Sequence, residues 1–430
     1  MPEPVPVPMS ATLAADEVMA RRRQAGERVV PMTSGEIGLP VHPVLAGRLA
    51  AAVHENAYGP VAGSGELRTA AAGYWERRGI GTDPGLVVAG PGSKPLLFAL
   101  LLAIGGDVIV PVPGWVSYAA QARLVGARPL PVPIQPGQGG VPDPDRLREA
   151  VTAARAAGKN PRSVVVTVPD NPTGTIAAPG TVRRLAEAAR ELDLVIVSDE
   201  IYRDLVYPAS APAVSPAAHA PERTVVTTGL TKNLALGGWR TGVARLPDSD
   251  IGQALHTRLV SVASQIWSSP TAPVQAAAAY AFGEPPEITE HIAASRRLHE
   301  AVVRAVAARF SAAGAVLAPV RATCYLYPDF EPLRERLART QGVRDGDDLT
   351  RLLLERHGVG VLPASAFGET GRPLRIRAAT SRLYGDSPAQ RTAALAAPDP
   401  VELPWIRSTV ERIGEALADI TGACADASQP

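Results

Sequence analysis

The chain has little of what would mark a secreted, membrane-bound or nucleic-acid-binding protein. It has two cysteines in 430 residues, Cys324 and Cys424. They stand far apart and at no metal-ligand spacing, which excludes a disulfide framework, gives no metal site and suits a reducing cytoplasm. Neither charge is in excess: 43 Lys and Arg against 42 Asp and Glu leave a net charge of +1. That gives no electrostatic case for nucleic acid or an anionic membrane. The one basic triplet, Arg21-Arg22-Arg23, lies among Asp16, Glu17 and Glu27 and reads as a solvated helix face. The most apolar stretch, residues 95–104, is far short of the roughly 20 residues that a bilayer requires. No signal core is visible, since residues 1–8 alternate with proline. No repeat period appears.

What is present is globular. Hydrophobic residues make up 46% and charged residues 20%, and the length allows two domains. Three apolar, β-branched runs end in chemistry. Residues 163–168 run into Asp170-Asn171-Pro172-Thr173-Gly174, residues 194–198 into Asp199-Glu200-Ile201-Tyr202, and residues 224–228 into Gly229-Leu230-Thr231-Lys232. Val182, Leu185, Ala186, Ala189 and Leu192 recur at helical spacing between the first two runs, so a parallel strand-helix-strand unit is predicted. Asn171, Asp199 and Lys232 then lie at the carboxyl ends of strands in one sheet, where open α/β sheets bind ligands. A lysine there, with its pKa lowered, is suited to a Schiff base with a carbonyl such as that of pyridoxal phosphate. On its own Lys232 also fits a solvated charge.

Two features suit a phosphate. Residues 86–89 form a strand, and Gly90-Pro91-Gly92-Ser93-Lys94-Pro95 leads into a helix over 96–104. The free N–H groups of a first helical turn bind anions, and Ser93 has the chemistry of a cap. Arg240, eight residues after Lys232, offers a planar fork for phosphate oxygens, and Thr231 a hydroxyl. Aromatic residues are only 4% of the chain, which draws attention to Trp115, at a strand end after Gly114.

NPTG at 171–174, SDEIY at 198–202 and TGLTK…GGWRTG at 228–242 resemble the class I/II aminotransferases of pyridoxal-phosphate fold type I. Words, order and spacing agree, and the resemblance runs from about residue 31 to 421. It implies an α/β fold: a large domain with a mostly parallel wound sheet and helices on both faces, plus a smaller α+β domain. It also implies pyridoxal 5′-phosphate as cofactor, with Lys232 as Schiff-base lysine and catalytic base. Asp199 would face the ring nitrogen, Asn171 and Tyr202 the phenolic oxygen, and Trp115 the ring. Gly92, Ser93, Lys94, Thr231 and Arg240 would hold the phosphate. Tyr58, in YGPVAGSGELR, would reach the phosphate of a neighbouring subunit, which implies a homodimer with shared sites. Gly35 and Asn171 would lie at the substrate carboxylate. Arg375, in PLRIRAAT, would hold that carboxylate, although Arg377 shares its strand face.

The implied boundaries are an arm over 1–30, a large domain over 50–286, and a small domain over 31–49 and 287–430. Residues 1–10 read as extended, 11–26 as a helix packing Leu13, Val18 and Met19, and 316–317 as a short strand. The proline- and alanine-rich stretch 385–404 reads as a loop before a last helix. Two segments depart from the family pattern, Pro363-Ala364-Ser365-Ala366-Phe367-Gly368 and Ala322-Thr323-Cys324, and both border the substrate side. The implied reaction moves the amino group of an L-amino acid to a 2-oxo acid in the cytoplasm. The alternative is a pyridoxal-phosphate enzyme of secondary metabolism catalysing elimination, cyclisation, C–C bond formation, for example on S-adenosylmethionine, or oxidation. A non-catalytic cofactor-binding regulator is disfavoured by the presence of Lys232.

Overall fold

The computed structural model describes residues 7–210 and 212–422; residues 1–6 of the arm and Cys424 lie outside them. Near the start, β1 (Val30–Pro31) follows a helix at Ala11–Gln24. The centre of the molecule is a seven-stranded sheet. Its strands are β2 (Val87–Gly90), β3 (Asp107–Val112), β4 (Pro129–Pro133), β5 (Pro161–Thr167), β6 (Val195–Asp199), β7 (Thr224–Gly229) and β8 (Gly242–Arg245). They lie in the order β2-β8-β7-β6-β5-β3-β4. The pairs from β4 through β7 are parallel, and β8 runs antiparallel to both its neighbours.

The near-continuous apolar runs follow from burial on both faces. Val164 and Val166 of β5 pack with helix residues Leu147, Val151, Val182 and Leu185. Val165, one residue out of phase, packs on the other face with Leu96, Leu97 and Leu100 of the helix Ser93–Ile104. The alternation of a strand thus serves two cores, and the carboxyl ends of β5, β6 and β7 are left to carry polar groups.

A second core gathers Val30, Met32, Ile37 and Leu39 with residues from Leu298 to Ile420. It is built on the helices Pro286–Ala312 and Pro404–Thr421 and on short strands: β9 (Tyr325–Leu326), β10 (Val359–Gly360), β11 (Leu362–Pro363) and β12 (Ile376–Ala379). Strand β1 pairs with β10 in parallel, and β11-β12-β9 form an antiparallel sheet.

Four local expectations change. Residues 385–404 are not a plain loop but contain a helix, Pro388–Ala396, started by a capping box between Ser387 and Gln390. Residues 316–317 form no strand, only a bridge from Val316 to Asp329. The helix Pro43–Ala51, in the stretch assigned to the smaller domain, contributes Leu45 to a core on the wound-sheet side. In the first helix only Met19 is buried, and Leu13 is left exposed. No helix among the described residues is long and apolar enough to cross a membrane.

Candidate active site

Chain reversal at the carboxyl ends of β5, β6 and β7 opens a cavity of about 470 Å³. Ten residues singled out from sequence line it: Gly35, Ser93, Lys94, Trp115, Asn171, Asp199, Tyr202, Thr231, Lys232 and Arg240. Lys232 lies three residues beyond β7, and its Nζ donates to the Gly35 carbonyl at 2.7 Å. Burial pushes its pKa down to about 8, with the Arg377 charge acting the same way and Cys324 against it. Gly35 is required there, because a Cβ would stand 1.7 Å from the Tyr325 hydroxyl.

Asp199 closes β6 and is buried at 4% exposure. Burial pushes its pKa up to about 6, while donors from Tyr118 and Thr227 hold it down. Tyr118 Oη donates to Oδ2 at 2.9 Å, and Thr227 Oγ1 to Oδ1 at 3.4 Å. Tyr202 and Tyr325 share a hydroxyl–hydroxyl hydrogen bond of 2.7 Å with their rings edge to face.

Gly92 lies behind the cavity. It precedes the helix Ser93–Ile104 with φ +103°, and a Cβ on it would stand 2.5 Å from Arg240 Nη2. Ser93 does not cap this helix as expected, because Gly92 takes the cap position; the serine is the first helical residue and faces the cavity. Arg240 adopts a left-handed backbone and, among the described residues, donates only to the Gly237 carbonyl, at 2.9 Å. Lys94 Nζ lies 5.1 Å from the Trp115 ring centroid. Burial and Arg240 lower its pKa.

Of the two arginines named from sequence, it is Arg377 that lines the cavity. Arg375 lies outside the cavity, in a neighbouring one of about 310 Å³. There its Nε pairs with Asp329 Oδ2 at 2.9 Å and its Nη1 with Glu369. Strand β12 begins at Ile376, and the Arg375 backbone continues the register of β12 and β9 through a bridge to Asp329. Arg377 lines the main cavity instead, 1% exposed. It donates to Asn171 Oδ1 at 3.2 Å and to the Thr33 carbonyl, between the rings of Tyr325 and Phe367. Among the described residues it has no carboxylate partner. A buried guanidinium without a counter-ion is costly, so this one is set to receive an anion.

Tyr58 is not in the cavity of its own chain; it is 89% exposed, beside a separate recess with His54 and Gln275. Sequence reading missed Tyr118 and Tyr325, which no motif marks, and also Ser10, ahead of the first helix, and Thr12, Leu13 and Asp16 within it, which line the cavity as well.

These residues fit pyridoxal phosphate. A free amine with lowered pKa, a buried carboxylate beyond it, a helix start with an uncommitted guanidinium, and a second unpaired guanidinium match a carbonyl, a ring cation, a phosphate and a carboxylate. Comparisons with known proteins agree. The aspartate/prephenate aminotransferase of Thermus thermophilus is 38% identical over 267 residues, 61% of this chain and 66% of that protein. The chain thus spans about two thirds of that relative in the match. The aspartate aminotransferase of Geobacillus stearothermophilus is 32% identical over 383 residues, covering 86% of this chain and 92% of that protein. The solved aspartate aminotransferase from Thermus thermophilus with maleate superposes with a TM-score of 0.80 at 28% identity, covering 95% and 97% of the two chains. The family described as aminotransferase class I and II matches residues 29–385, and the chain belongs to it.

Proposed function

We propose that this protein is a pyridoxal-phosphate-dependent aminotransferase moving the amino group of an L-amino acid to a 2-oxo acid, in the cytoplasm and as a homodimer. The observation that carries the reading is the Lys232 amine, pushed down to about 8, in a cavity shared with Asp199, Arg240 and Arg377. When bound, the cofactor supplies the covalent link to the amino group and an electron sink for the charge released at the substrate α-carbon. The protein does the rest. Lys232 would take the α-proton and return it to the carbon on the far side of the amino nitrogen, two atoms away, which a base of pKa near neutrality does efficiently. The Asp199 carboxylate, aimed by Tyr118 and Thr227, keeps the ring nitrogen protonated. Arg377 grips the α-carboxylate with Asn171 beside it. Ser93, Thr231, Arg240 and the helix start hold the phosphate, while Trp115 and Tyr202 border the ring.

The donor in this proposal is a dicarboxylic amino acid. The relatives are named for aspartate and prephenate, and one solved relative is described with maleate. The eliminating and oxidising alternatives are not favoured by relatives that are aminotransferases. Half-reaction spectroscopy with a panel of L-amino acids tests the proposal. Conversion of the cofactor to its amine form by aspartate or glutamate is expected, with 2-oxo acid released. A methylthio product or oxygen uptake without that conversion overturns it.

A further inference from the structure

Lys232 stands in an irregular loop between β7 and β8. Ala235 in that loop adopts φ +57°, a left-handed conformation that residues with a Cβ avoid. Such a loop keeps an amine in place only if it is tied down. Apart from Lys232's own bond to Gly35, residues 231–236 make one side-chain hydrogen bond to another element among the described residues. Asn233, 5% exposed, donates from Nδ2 to Asp204 Oδ2 at 2.8 Å.

Asp204 lies in the turn Arg203–Leu205, five residues beyond the Asp199 that ends β6. It is itself anchored. Oδ1 accepts from Arg78 Nη2 at 2.9 Å and from Tyr74 Oη at 3.1 Å. Arg78 lies over the Tyr74 ring, 3.5 Å from its centroid, and pairs with Glu284 at 2.5 and 3.0 Å. Glu284 stands two residues ahead of the helix Pro286–Ala312, where the chain leaves the wound sheet for the second core. The lysine loop is therefore tied to the turn after β6 and, through it, to the junction of the two cores. None of these four side chains lines the cavity.

We propose that Asp204, acting through Asn233, is a positioning residue that holds Lys232 at its working place. The inference rests on the reading of Lys232 as the reacting amine. Displacement of a reacting group by about 1 Å costs on the order of a hundredfold in rate, and this is the loop's one polar tether to a charged, fixed partner.

Asn233→Ala tests it with little threat to folding, because Asp204 keeps Arg78 and Tyr74. The expected result is a kcat lowered about tenfold or more with KM within about twofold. A second readout uses the apo protein, as the pH dependence of the rate at which Lys232 captures added pyridoxal phosphate. Its midpoint is expected to rise by about one pH unit as the loosened amine meets water and returns toward the ordinary lysine value. Asn233→Asp sets two carboxylates against each other and is expected to be worse. Combining it with Asp204→Asn exchanges donor and acceptor, leaves Oδ1 for Arg78 and Tyr74, and is expected to recover most of the loss. Parent-like kcat and capture midpoint in Asn233→Ala overturn the proposal, as does a double variant no better than Asn233→Asp alone. Lys232→Ala separates the two readings. If it still captured the cofactor as an imine, Lys232 itself would be misassigned, and the positioning proposal would fall with it.

Discussion

Asp199 is a carboxylate that burial alone would neutralise and that two hydroxyl donors keep usable. Its pKa of about 6 lies above the free value, so the folded apo protein holds a proton that the unfolded chain has released between about pH 4 and 6. The stability contributed by this group is therefore present below that window and declines as pH rises through it. The size is of order 3 kcal/mol, from roughly two pKa units. Asp199→Asn is expected to remove that decline, read as the Tm of the two apo proteins between pH 4 and 7, and to leave the loaded enzyme nearly inert with the cofactor retained. Activity within a few-fold of the parent would sink the proposed role. The two arginines give the companion prediction. Arg377→Ala should raise the KM for the amino donor by about a hundredfold, as loss of a buried charge-assisted pair implies. Arg375→Ala, by contrast, should chiefly lower stability through Asp329 and Glu369. The reverse ranking in steady-state kinetics would restore the arginine favoured from sequence. At this scale Lys232, Asp199, Asn171 and Arg240 were legible because each ends or follows a strand in a recognisable word. The choice between Arg375 and Arg377 was not, because a two-residue period puts both on one face. What sets the two apart is that Arg375 pairs with Asp329, 46 positions away in the chain, while Arg377 has no carboxylate partner among the described residues.

Among the elements, the helix Ser93–Ile104 matters most, because its first turn faces the cavity and Gly92 lets Arg240 approach it. Gly92→Ala places a Cβ 2.5 Å from the guanidinium at φ +103°. The conformational cost is about 1–2 kcal/mol before any clash. Affinity for pyridoxal phosphate is expected to drop at least about tenfold, by equilibrium titration of the apo protein, with substrate KM less affected. Unchanged affinity would remove the phosphate from this helix start. The strand ends and this helix were legible from apolar runs and turn residues. The helix Pro388–Ala396 was not, since alanine and proline masked it, although Ser387 with Gln390 three positions on is a readable capping box. Ser387→Ala should lower unfolding free energy by about 1 kcal/mol, measured by denaturant titration. The hidden strand β8 had a different cause. Its residues, Gly242–Arg245, lie inside and after the arginine motif, and their antiparallel insertion between β2 and β7 depends on partners about 150 positions away on one side.

On the scale of the whole molecule, one chain leaves its site with a cavity, a charge pattern and an aromatic group facing the wrong way. Tyr58 is 89% exposed beside a recess, and its hydroxyl has no hydrogen-bond partner among the described residues. A lone exposed ring is ordinary, but this one stands in a stretch whose family counterpart serves the neighbouring subunit. A closed two-fold pair is also the commonest symmetric assembly. Burying Tyr58 against a partner's phosphate site would link cofactor retention to assembly, because whatever binds only the dimer stabilises it by mass action. Sedimentation of the cofactor-loaded protein should give twice the chain mass of 44.8 kDa. The sharper trial mixes chains carrying Tyr58→Phe with chains carrying Lys232→Ala. In each mixed dimer one site then has the Lys232 of the first chain and the Tyr58 of the second, and carries neither substitution. Random pairing predicts about a quarter of the parental activity from such mixtures, above either variant alone, provided Tyr58→Phe is itself clearly impaired. No recovery on mixing, with Tyr58→Phe impaired and subunits shown to exchange, would confine Tyr58 to its own chain. A monomer with full activity at high dilution would remove the shared site altogether.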